Sequence, residues 1–237
     1  PVNWKDGTIQ VSHQVKGWSN FNLKDWLKEQ TQKPIAIDND ANVAALGESI
    51  YGLGKGFKSV FYMTIGSGIG GGMIIDSTIY HGKFPGEVEI GHIRMNKDGE
   101  TLEGKCSGWT VNQKLRTFID QNPDSFLAEL DKHNHEPEAT LLKPALEAGD
   151  QEAERILFEI ADDLAFALSH VVHLFHPEVL IIGGGISLLG EHLRIPIEKQ
   201  LSGYLLKAFL PAPDIKIAGL AEDVVPIGAL ELAKTAI

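Results

Sequence analysis

The chain has 237 residues with 32 acidic against 21 basic side chains, a formal net charge of −11, and no basic run in which phosphate contacts could sit, which excludes a protein that coats nucleic acid. Hydrophobic residues at 43% and charged residues at 22% exclude general disorder and coiled-coil composition, and no apolar run approaches the roughly 20 residues of a membrane span. A single cysteine, Cys106, excludes an internal disulfide and points to a reducing compartment, the cytoplasm.

In chain order, Asn22 reads as an N-cap opening a helix with an apolar stripe at Leu23, Trp26 and Leu27, which stops before Pro34. Pro34-Ile35-Ala36-Ile37 reads as a short buried strand, and Asp38-Asn39-Asp40-Ala41-Asn42 as the cap of a helix over Val43 to Tyr51. Ser59 to Ile65 and Met73-Ile74-Ile75 read as strands by their β-branched and aromatic content, joined as a hairpin through Gly66-Ser67-Gly68-Ile69-Gly70-Gly71-Gly72. From Val111 to Asp150 the pattern is helical, broken around Asn134 to Pro137, and Ala153 to Phe175 is a long amphipathic helix ended by Pro177. Val179 to Ile182 is a continuous apolar run, typical of a buried central strand, which delivers the chain into Gly183-Gly184-Gly185. Glu191 to Leu206 is predicted helical despite Pro196, Ile215 to Ala218 a strand, and Ile227 to Ala236 a helix. The sum is a mixed α/β protein.

Three places could carry chemistry. The glycines of 66–72 permit backbone N–H groups to converge on a phosphate, or serve a tight hairpin by geometry alone. Those of 183–185 stand where an open sheet places a nucleotide. Neither is a Walker A loop nor a dinucleotide fingerprint. Asp38 and Asp40 bracket Asn39 on one strand-to-helix turn, where a carboxylate can act as a base toward a hydroxyl or simply cap the helix. Strand alternation would put Glu87 and Glu89 on one face, with His92 three residues on. His170, His173 and His176 recur every third residue, a spacing that drifts around a helix and need not converge on a metal.

Taken together and in this order, these pieces resemble the ROK family of sugar kinases and sugar-responsive repressors. Residues 34–48 look like its E-N-D-A-N-x-A-A-x-x-E segment, with Asp38 where Glu is usual; Thr64 to Gly72 look like its second phosphate loop; Glu89-Ile90-Gly91-His92 match its E-I-G-H motif; and His176 to Ser187 look like its adenosine-side strand and turn. The resemblance implies the actin-like ATPase (ribonuclease H-like) fold of two lobes. Residues 1–45 with the final helix, 225–237, would be the remainder of the N-terminal lobe, and 46–224 the C-terminal lobe. It implies ATP-dependent phosphorylation of a hexose or N-acetylhexosamine hydroxyl. Asp40 would be the catalytic base, and Asn39, Glu89 and His92 sugar ligands. Thr64, Gly66, Ser67, Gly68 and Gly70 would cradle phosphate, with Gly183, Gly184 and Gly185 facing the nucleotide. ATP and Mg²⁺ are the implied cofactors; sugar and ATP are the partners, with a homodimer allowed and neither nucleic acid nor membrane engaged. The alternative is a non-catalytic sugar-binding regulator, the effector domain of a ROK-type repressor.

The pattern departs from the family in three places. The D-x-G-G-T loop with which the family opens has no counterpart, so the first lobe is expected to be incomplete. The cysteine cluster after E-I-G-H is reduced to Cys106, so neither zinc nor any other resident metal is expected. Val88 stands where the family has glycine.

Overall fold

The computed structural model describes residues 2–11, 15–84 and 86–236; Pro1 and Ile237, the ends of the two predicted N-lobe segments, lie outside them. Strands β1 (Thr8–Ile9) and β2 (Phe21–Asn22) pair antiparallel and lead into α1 (Leu23–Thr31). The Asn22 side chain accepts the Asp25 N–H at 2.9 Å, as its cap position predicts. The strand expected at 34–37 does not form: the segment belongs to no helix or strand and has no ladder partner among the described residues. An apolar tetrapeptide becomes a strand only beside another strand, and Pro34 has no N–H to offer one.

Helix α2 (Asp40–Ile50) follows, buried throughout 41–49. The lobe boundary drawn at 45/46 falls inside this unbroken helix. Next come β3 (Ser59–Ile65), β4 (Ile69–Ile75) and β5 (Thr78–Ile79), then α3 (Leu102–Cys106), α4 (Gly108–Gln121), α5 (Phe126–Asp131), α6 (Leu142–Glu147) and the long α7 (Gln151–Phe175). The chain finishes with β6 (Val179–Gly183), α8 (Glu191–Tyr204), β7 (Asp214–Ile217) and α9 (Val224–Lys234). The five-stranded sheet runs β5-β4-β3-β6-β7, antiparallel from β5 to β3 and parallel from β3 to β7.

Both faces of this sheet are buried, and the period of two along each strand sorts side chains between them. Val60, Tyr62, Val179 and Ile181 join Ala44, Ala45 and Leu46 of α2 in one core. Phe61, Met63, Ile65, Leu180 and Ile182 join α7 residues such as Ile160, Leu164 and Leu168 in the other, larger one. Each fully buried aliphatic chain there contributes about 1.5–3 kcal/mol. On the smaller face α9 lies against α2 across two glycines. A side-chain carbon at Gly228 would stand 1.9 Å from the Val43 carbonyl oxygen, and one at Gly47 would stand 2.6 Å from that of Val224.

The glycine-rich stretch is shorter as a loop than its composition suggests. Only Gly66-Ser67-Gly68 turns; β4 begins at Ile69, so Gly70, Gly71 and Gly72 are strand residues. Their missing side chains admit neighbours: Gly70 and Gly72 lie under Ala41 and Ala45 of α2, and Gly71 lies against Val88. Helix α2 thus rests almost directly on the sheet, which fixes the position of its N-terminus.

Candidate active site

The N-terminus of α2 is the centre of the site. Asn39 caps it, Oδ1 accepting the Ala41 N–H at 2.8 Å, and Asp40 Oδ1 takes the same N–H at 2.9 Å. Asp40 is exposed, whereas Glu48, two turns further on, is fully buried. Both Glu48 oxygens are occupied, by the Leu220 N–H at 2.7 Å and the Leu53 N–H at 2.9 Å.

Asp38, just before the cap, accepts the Asn39 N–H at 2.7 Å and the Asn42 side-chain amide at 2.9 Å through Oδ1, and faces His81 Nε2 at 2.7 Å through Oδ2. The His81 ring stacks on Trp4 with centroids 4.0 Å apart. The other end of this network is Glu87, whose Oε1 also accepts from Asn42 at 2.9 Å. Asp38, His81 and Glu87 offer atoms all within 4.8 Å of one another, the one cluster among the described residues with the spacing of metal ligands.

Glu87 and Glu89 do not lie on a strand. Val88 has φ +58° and its carbonyl accepts the Ile90 N–H, after which Ile90–His92 forms a single tight turn. Left-handed backbone is costly for a β-branched residue, and Val88 adopts it here. The turn, not strand alternation, brings both carboxylates to a small cleft lined by Val2, Trp4, Asp38, Asn39, Asn42, Phe84, Gly86, Glu87 and Glu89. His92, exposed at the end of the turn, is outside that lining.

On the other side of Asn39 lies a groove whose lining includes Asp40, Tyr62, Thr64, Gly184 and Gly185. It shares Gly185 and Leu188 with a larger groove, which Gly66, Ser67, Asn112 and Lys143 also line. Gly184 has φ +82°, and a side-chain carbon there would strike the Ile65 backbone at 2.6 Å. Gly183 ends β6 and instead makes room for the Tyr62 hydroxyl, which a side-chain carbon would meet at 2.2 Å. Burial, followed by the nearby charges of Glu48 and Asp40 and opposed by a hydrogen bond with Thr64, pushes the Tyr62 phenol up to about 12. Gly68 and Gly70 fall outside both linings. A side-chain carbon at Gly68 would lie 2.5 Å from the Glu103 carboxylate, whose Oε2 accepts the Ile69 N–H at 2.8 Å.

Other candidates lead elsewhere. Cys106 is fully buried in the larger core, where burial pushes its thiol up to about 12. His170 contacts the Phe166 carbonyl, His173 accepts the Leu206 N–H, and His176 adopts the left-handed cap of α7 against Phe209. No helix among the described residues is long and apolar enough to cross a membrane.

Trp4, His81, Phe84 and Asn42 were invisible as site residues in the sequence. Asn42 sits in the A-N of the helix-opening segment, but its partners are 4 and 45 residues away, and no local spacing announces the second.

A family model described as "ROK family" matches residues 1–236. The chain is 34% identical to a glucokinase of Halalkalibacterium halodurans over 235 residues, covering 94% of this chain and 71% of that protein. It is 30% identical to a glucokinase of Thermotoga maritima, covering 98% and 76%. Among solved structures, a ROK family glucokinase from Streptomyces griseus in complex with glucose and AMPPNP superposes with a TM-score of 0.86 at 30% identity, over 99% of this chain and 78% of that one.

Proposed function

The chain belongs to the ROK family, and from the way the N-terminus of α2 parts two cavities we infer that it transfers the γ-phosphoryl group of ATP to a hexose hydroxyl in the cytoplasm. The observation that carries this reading is that consecutive residues face different cavities: Asn39 lines the small polar cleft, and Asp40 lines the groove that continues to the glycine turns. A hydroxyl held in the cleft by Asn39 and Glu89 would sit beside Asp40 with the groove beyond it. The glucokinases to which the chain is similar, one of them holding glucose and AMPPNP, support the same substrates.

Phosphoryl transfer asks mainly for an oriented nucleophile and for stabilisation of charge on the transferring group. Asp40 Oδ1 is fixed by the Ala41 N–H, which leaves Oδ2 to accept the hydroxyl proton as the bond to phosphorus forms. The positive end of α2 favours negative charge at this point. Gly184 and Gly185 let the backbone approach the phosphates closely, and the apolar side of the larger groove, with Ile186 and Leu189, suits a nucleoside base. Asp40 and Thr64 place hard oxygen donors in one groove, a donor set that fits Mg²⁺ arriving with ATP; the ion would neutralise phosphate charge.

Asp40→Asn tests the assignment in a coupled ADP-release assay with glucose. Turnover is expected to fall by about 10²- to 10⁴-fold while glucose binding, measured calorimetrically, persists; loss of both together overturns the role of Asp40. Glucose binding by the unaltered chain with no ADP release would favour the non-catalytic regulator.

A further inference from the structure

The groups around the small cleft are nearly all acceptors. Asp38, Glu87 and Glu89 bring three carboxylates, and no lysine or arginine is among the described lining residues. Asp38 is fully engaged, by the Asn39 N–H, by Asn42 and by His81. Asn42, only 2% exposed, donates from Nδ2 to Asp38 and to Glu87, and its Oδ1 has no partner. Glu87 is held through Oε1 alone, so Oε2 is available, as is the carboxylate of Glu89.

Among the described residues, the neighbouring basic side chains stand outside the lining. His81 is committed to Asp38 and stacked on Trp4. Lys5 Nζ lies 5.2 Å from the Trp4 ring centroid, outside the lining, and Lys83 is exposed on the loop before Phe84. A neutral sugar settling here would desolvate Glu87 and Glu89 and return only hydroxyl hydrogen bonds. A ligand carrying its own positive charge would compensate the carboxylates as it covers them.

Resting on the kinase reading above, we propose that the preferred sugar is a hexosamine with a free, protonated amino group, received by Glu87. Trp4 and Phe84 supply apolar walls for its C–H face. The same charge excludes uronic acids and sugar phosphates. Acetylating the amine removes its charge and, with it, the advantage.

Calorimetric titration of the chain with glucosamine, glucose, N-acetylglucosamine and glucuronate separates the possibilities, each affinity expressed relative to glucose at the same pH. At about pH 6 glucosamine is expected to bind about tenfold tighter than glucose, as one charge-assisted hydrogen bond allows, and at about pH 9, above the pKa of the amine, the two should converge. Glu87→Gln keeps the acceptor for Asn42 and should bring the ratio at the lower pH close to one. Glucosamine binding no tighter than glucose, or an advantage that survives acetylation or Glu87→Gln, overturns the proposal and leaves the kinase reading standing. Failure of every sugar to bind removes both.

Discussion

Asp40 and Glu48 stand two turns apart on one helix and are used in opposite ways. At the C-terminal end of α2 the Glu48 carboxylate is sealed from water and both its oxygens accept backbone N–H groups, while Gly47 brings the α9 backbone into contact. At the N-terminal end Asp40 is exposed and lines an open groove. A carboxylate whose oxygens are all engaged is structural, however suggestive its place in a motif. One held through a single oxygen on a rigid helix is fixed and still free to take a proton.

The largest effect that would sharpen this contrast is on stability at the buried end. Glu48→Ala strands two backbone donors and should cost about 3 kcal/mol in urea unfolding; a loss below about 1 kcal/mol would break the comparison. Tyr62, flanked by both carboxylates, gives the next effect. Because its phenol is raised from 10.0 to about 12 in the folded chain, its contribution is fully present below pH 10 and is lost as the pH rises through about 12. The fall should amount to about 2–3 kcal/mol and be absent in Tyr62→Phe, as followed by pH-dependent unfolding. The smallest effect belongs to the open end: Asp40→Asn should change stability by no more than about 0.5 kcal/mol, the interaction of an exposed charge with a helix terminus. A larger loss in the same unfolding assay would mean that Asp40 is structural as well.

What the sequence disclosed followed from how local each signal is. Asn39 and Asp40 could be placed because capping is decided within a few residues, and Val179 to Ile182 because an unbroken apolar run between glycine and proline has few other uses. The tetrapeptide 34–37 failed because a strand is defined by its partner. Glu87 and Glu89 were brought to the cleft for a reason alternation could not supply, the left-handed Val88 between them. The tie from Asp38 to His81 spans 43 residues and leaves no trace in spacing. The run of glycines read as one loop because composition does not distinguish a turn from a strand stripped of side chains to admit a helix.

The seam between α2 and α9 also bears on how the chain is made. It joins segments more than 170 residues apart, through the bond from Leu220 to Glu48 and the glycine crossing. On a ribosome adding about 5–20 residues per second, α2 emerges on the order of ten seconds or more before its partner. Throughout that interval the surface of α2 around Gly47 lacks its α9 cover and Glu48 lacks its second donor. The helix that carries Asp40 thus waits for its partner, and the closure of so long a separation in sequence is a slow step of folding.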